Sequence, residues 1–138
     1  MEVKNKVMPN DQQIADFNEL DEEKPIFMVN LLKFKEKAEY ADKRETGLTG
    51  EEAYSIYGKE VQVHLEKVGG KIVFAGKVSR LTIGEAEELW DQVAIAMYPS
   101  RKAILEIISN SEYIKSAEHR IAGLAGQLNI ETNSPLDF

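Results

Sequence analysis

Residues 26–34, IFMVNLLKF, are apolar at almost every position. Pro25 precedes them and the charged stretch KEKAEYADKRETGLTG follows, so the run reads as a short strand that is apolar on both faces. Alternation sends Phe27, Val29 and Leu31 to one side and Met28, Asn30 and Leu32 to the other, with Asn30 the polar exception. A chain with such a strand must supply a layer of packing for each face.

The rest of the chain is punctuated clearly enough to show where those layers come from. Ile14, Phe17 and Leu20 recur at helical spacing in NDQQIADFNEL, residues 10–20, with Asn10 or Asp11 to cap the start and a polar turn, DEEKP, to end it. Residues 35–50 predict a charged surface loop. Thr49 and Glu52 stand at capping-box spacing, so a helix is predicted over about 50–68. Its stripe is Ala53, Tyr57, Val61, Leu65 and Val68, with Tyr54 and His64 on the border and Gly69-Gly70 as the stop. KIVFAGKVSRLTI, residues 71–83, predicts a strand, and residues 90–98 predict another after a turn. Pro99 suits a first helical turn, and Ala103, Ile104, Ile107 and Ile108 form the apolar face of a helix ending near Ser109-Asn110. A further helical piece, SEYIKSAEHRIAGL, leads to the last strand, GQLNIETN, with Leu128 and Ile130 expected inward.

After the first helix the order is β-α-β-β-α-β with a helical insertion before the last strand. That is the ferredoxin-like split β-α-β plan, an α+β fold. Residues 1–24 are expected to form a helical extension and residues 25–138 one domain. Helices cover one sheet face. The other is expected to meet a second copy, face to face, in a homodimeric α/β-barrel.

Composition removes several function classes. The 138 residues include no cysteine, which excludes disulfides, thiolate metal sites and a cysteine nucleophile. The net charge is −7 without an offsetting basic cluster, so neither nucleic acid nor an anionic membrane is an expected partner. No apolar run has the length of a membrane span, and MEVKNKVMPNDQQ has no signal-peptide core, so a cytoplasmic location is expected. The two histidines lie on separate predicted helices without HExxH spacing, and no GxSxG, P-loop or GxGxxG is present. Neither a metal nor a cofactor is therefore expected.

A lighter constellation remains, centred on WDQVAIAMYPSRKA, residues 90–103. Alternation groups Asp91, Val93, Ile95 and Met97 on one face, expected to pack on helices. Trp90, Gln92, Ala94, Ala96 and Tyr98 share the other, which resembles a cavity lining: small residues leave room and polar tips converge. With Asn30 on the same side, a cleft is expected on the sheet face away from the helices. Arg101 would pair there with an anion, Asn30 and Tyr98 would hydrogen-bond a reacting oxygen, and Trp90 would wall the pocket. Gln92, Ser100, Tyr54 and Tyr57 are further candidate contacts, Ser100 also reading as a helix cap and the two tyrosines as packing. The expected activity is cofactor-independent chemistry on a small, anionic or enolisable compound. The alternatives are a dimer that binds such a molecule without turnover, and a structural dimer whose polar residues satisfy an interface.

The segments MVNLLKF, GEEAYSIYGKEV, GGKIVFAGKV, ELWDQVAIAMYPSRKAILEIISNSEY and HRIAGL resemble the family called "domain of unknown function 1330", within the dimeric α/β-barrel superfamily. WD-x-V followed by YPSR-x-A is the most specific of them. The resemblance implies a ferredoxin-like fold and a face-to-face dimer, with Asn30, Tyr54, Tyr57, Trp90, Asp91, Tyr98, Ser100, Arg101 and Arg120 as recurring positions. It implies no established activity. The superfamily includes cofactor-free monooxygenases, haem-degrading enzymes and small-molecule isomerases. The histidine that the haem-degrading branch places near the start of its second helix is replaced here by Ser100 and Arg101.

Overall fold

A computed structural model describes residues 1–19 and 23–137. Eight elements follow in order: α1 (Asp11–Glu19), β1 (Ile26–Phe34), α2 (Gly50–Lys67), β2 (Lys71–Lys77), β3 (Gln92–Tyr98), α3 (Arg101–Ile108), α4 (Ser111–Gly123) and β4 (Leu124–Thr132). The strands form one antiparallel sheet in the order β2-β3-β1-β4. This is the ferredoxin-like arrangement, with an added N-terminal helix. Leu20 and part of the predicted 21–25 turn lie outside the described residues.

Local chemistry sets the boundaries. The Thr49 side chain accepts from the Glu52 amide, while the Glu52 carboxylate accepts from the Thr49 amide, which completes the capping box of α2. At the other end Gly69 takes φ +82°, and the Gly70 and Gly69 amides return to the Leu65 and Glu66 carbonyls. That turn favours glycine because a side chain there would be strained. Ser100 and Asn110 cap α3 and α4. Strand β2 stops at Lys77, six residues short of the predicted end.

α2 and α4 pack against each other by way of two glycines. A Cβ on Gly123 would meet the Gly50 carbonyl oxygen, and a Cβ on Gly50 would meet the Lys35 backbone. Bare backbone therefore lets the start of α2 lie on the end of α4. The 35–49 segment is not merely a solvated loop: Ala38 and Tyr40 are buried and pack with Ala53 and Ala122 in a small core. The Tyr40 hydroxyl shares a hydrogen bond with His119 Nδ1 at 2.6 Å, so His119 is a packing residue.

The two sheet faces are the reverse of the sequence expectation. Register pairs Leu32 with Gln92, Asn30 with Ala94, Met28 with Ala96 and Ile26 with Tyr98. Leu32 and Ala96 on this face are buried, and α2 lies over its β2–β3 side. The Gln92/Ala94/Ala96/Tyr98 face is therefore the helix-covered one. The physical reason is volume: Tyr54 and Tyr57 of α2 fill the space above the sheet, so alanines suit the strand beneath them. The opposite face carries Phe27, Val29 and Leu31 from β1, Val93, Ile95 and Met97 from β3, and Leu128 and Ile130 from β4. No described helix covers it, and Phe74 and Ile130 are half exposed there.

The glycine contact gives a paired test. Gly123→Ala should lower stability by about 1–3 kcal/mol through overpacking. Gly58 lies mid-helix, where a Cβ would meet nothing within 4 Å, and Gly58→Ala should raise stability by roughly 0.5–1 kcal/mol. Denaturant titration of both variants checks this. A Gly123→Ala protein as stable as the parent would contradict the packing argument.

Candidate functional site

A polar chain runs under the helices to the middle of the sheet. Arg120, on α4, donates through Nη2 to the Gln127 side-chain oxygen at 2.6 Å and to the Val7 carbonyl at 2.8 Å. Gln127 Nε2 in turn donates to Asn30 Oδ1 at 2.6 Å. Asn30 Nδ2 donates to the carbonyls of Met28, at 3.1 Å, and Ala94, at 3.2 Å. The direction of every link is forced, because arginine can only donate. Gln127 must therefore offer its oxygen to Arg120 and its nitrogen to Asn30. Asn30 then presents its nitrogen to the two carbonyls, and both of its donor hydrogens are engaged. The expected oxygen-binding amide is thus a fixed part of the sheet.

Aromatic side chains wall the space above. Phe34 and Tyr54 lie 5.3 Å apart between ring centres, as do Tyr54 and Tyr57, and Tyr57 continues to Tyr113 at 6.1 Å. The Tyr57 and Tyr113 hydroxyls share a hydrogen bond at 3.1 Å. Burial pushes the Tyr54 phenol up to about 12, while the Arg120 charge acts in the opposite direction. Burial likewise raises Tyr57 and Tyr98 well above the ordinary tyrosine range. All three are therefore neutral phenols near pH 7 and can donate hydrogen bonds. Among the described residues the hydroxyls of Tyr54 and Tyr98 make no hydrogen bond to a neighbouring side chain, and both reach solvent rather than being sealed in.

Between α2 and the β2–β3 side of the sheet this space opens into a cleft of ≈ 490 Å³. Tyr54, Tyr57 and Val61 form its helical wall, and Ile72, Ala75, Gln92 and Ala94 its sheet wall. Lys77 and Glu51 form an ion pair of 3.0 Å between two lining residues, one on each wall. Of the candidate contacts, Gln92, Tyr54 and Tyr57 line this cleft, and Asn30 and Tyr98 share its sheet face.

Three candidates lie elsewhere. Arg101 is 8 % exposed and pairs with Glu131 at 2.5 Å, beneath the Phe17 ring of α1. Its charge is thereby compensated within the chain, although its Nε is buried without a partner. Ser100 accepts from the Ala103 amide as the α3 cap. Trp90 precedes β3, so strand alternation does not reach it; its indole donates to Asn5 Oδ1 at 2.8 Å. Asp91 fastens the strand ends, accepting from the Phe34 amide at 2.8 Å with Lys33 3.5 Å away.

Sequence reasoning left Gln127 and Tyr113 out of the site, and Arg120 entered only as a recurring position that the family resemblance implies. The available signal was Gln127, whose odd spacing from Leu128 and Ile130 puts it on the opposite face of β4, across from Leu32. Among the described residues, no group of three histidine or acidic side chains is placed to hold a metal ion.

Neither a protein-family model nor a curated protein sequence matches the chain. Solved structures do, and two of them share more than a third of its residues. One, a crystal structure of methylated RPA0582 protein, is 37% identical, covers 98% of both chains and superposes with a TM-score of 0.86. The other, RPA0582 described as a protein of unknown function from Rhodopseudomonas palustris, is 35% identical over 97% of this chain and 99% of its own, with a TM-score of 0.85. Identity at this level across the whole length places the chain in the family of the Rhodopseudomonas palustris RPA0582 protein.

Proposed function

We propose that the chain binds a small organic molecule in the cleft between α2 and the sheet, and acts on it with its own side chains alone. The carrying observation is the aromatic-walled cleft, with the Tyr54 phenol on its helical wall and Tyr98 farther along the same sheet face. Held neutral by burial, the two phenols serve as fixed donors toward an oxygen that gains negative charge, as in enolisation. Gln92 adds an amide to the cleft wall, and Ala75 and Ala94 leave room for a flat ring. Binding without turnover is the second reading. It is favoured by the lining carboxylates: Glu51 is paired with Lys77 and Glu52 is held by Thr49, so neither stands ready as a general base.

Calorimetry with small phenols and keto acids, in metal-free buffer, tests the reading. A ligand that binds should lose its affinity to Ala94→Leu, which fills the cleft floor. Tyr54→Phe should weaken it by roughly threefold to tenfold, the worth of one hydrogen bond. Consumption of the ligand selects the enzyme. Binding unaffected by both substitutions would contradict the site.

The uncovered sheet face supports a second proposal: two copies pair through it. Aliphatic, methionine and phenylalanine side chains of all four strands, Phe74 of β2 among them, present one apolar surface, and a two-fold axis would set the same surface of each copy against the other. Sedimentation should show a dimer that Ile95→Asp converts to a folded monomer. A monomeric parent protein would overturn the proposal.

A further inference from the structure

The chain has four arginines, and their charges are handled differently. Arg44 pairs with Asp42 and Glu118, and Arg101 with Glu131. Arg80 is exposed to water. Arg120 is only partly exposed, yet among the described residues no carboxylate lies within 4 Å of it. Its two acceptors, the Val7 carbonyl and the Gln127 amide oxygen, are both neutral, and both sit on the same Nη2. Its field reaches the Tyr54 and Tyr98 phenols. A partly buried guanidinium whose acceptors are all neutral has donors to spare, and Tyr54 packs beside Gly123, one turn along α4 from it; the ligand that completes such a group is an anionic oxygen.

The acceptor that could be exchanged is also identifiable. Val7 belongs to an N-terminal strap attached by three hydrogen bonds: Trp90 to Asn5 Oδ1, the Lys6 amide to the Gln127 carbonyl at 3.1 Å, and Arg120 to the Val7 carbonyl. Asn5 and Lys6 are exposed, so the strap has little buried surface to hold it down. It crosses β4 at Gly126, where a Cβ would come within 2.6 Å of the Asn5 Cβ.

We propose that Arg120 receives the carboxylate or enolate oxygen of the ligand, and that the Val7 carbonyl occupies that oxygen's place until the strap lifts. The proposal rests on reading the cleft as a small-molecule site, to which Tyr54 connects it. Gln127 holds the guanidinium from below and is a positioning residue. Strap and ligand compete for one donor, so loosening the strap strengthens anion binding.

Phenylglyoxal modification, mapped by mass spectrometry with and without benzoate, tests this on the full chain. Benzoate should protect Arg120 and leave Arg80 unchanged. Gly126→Ala, which displaces Asn5, should speed Arg120 modification and tighten benzoate binding by about tenfold, the equivalent of removing one competing hydrogen bond to a charged group. Asn5→Ala removes the Trp90 link without adding bulk, and should act in the same direction if Gly126→Ala fails to fold. The proposal is overturned if benzoate leaves Arg120 unprotected, if it protects Arg101 instead, or if loosening the strap weakens binding. Protection of Arg120 that survives Ala94→Leu upholds the anion site and removes the cleft from it. Benzoate affinity lost to Ala94→Leu without any protection of Arg120 upholds the cleft and overturns the anion site.

Discussion

A guanidinium has hydrogens to give and no lone pair to offer, and that asymmetry orients the buried polar groups of this protein. Arg120 fixes which end of the Gln127 amide faces it, Gln127 fixes Asn30, and Asn30 closes on carbonyls of β1 and β3. The chain of donors thus ties α4 to β4, β4 to β1, and β1 to β3. Each of these groups would be costly to bury alone, and each is satisfied by the next. The tyrosine wall above has no such closure at Tyr54 and Tyr98, whose hydroxyls are left to solvent or to a ligand oxygen.

Two separate requirements divide the sheet. Below α2 and α4, large aromatic rings and a polar chain occupy the interlayer, so the strands contribute Ala75, Ala94 and Ala96. On the other side no helix intrudes, and branched and aromatic residues of all four strands form a smooth apolar surface. The gap between α2 and the β2–β3 side remains as the cleft because α2 meets α4 so closely at Gly50 and Gly123.

The elements themselves were legible in the residues. Thr49 and Glu52 announced α2, Gly69 ended it, and breakers at Pro25 and Pro99 framed β1 and β3, so the β-α-β-β-α-β order followed. Which face of β3 meets the helices was not legible from alternation alone. Volume is shared between layers, and the reason for the alanines lies on α2, far away in sequence. Tyr40 was hidden for a related reason: one buried tyrosine in a charged loop carries no periodicity. Arg101 and Arg120 look alike in sequence. Only the fold sets Glu131 against the first and neutral oxygens against the second.

A double-mutant cycle between Asn30 and Gln127 measures the central link directly. Each single alanine substitution should cost about 1–3 kcal/mol, since it strands a buried partner. The double variant should cost less than the sum by about 1 kcal/mol, because the second removal deletes a group already orphaned. Additivity within about 0.3 kcal/mol would mean that the two amides do not depend on each other, and would contradict the account of a forced polar chain beneath the site.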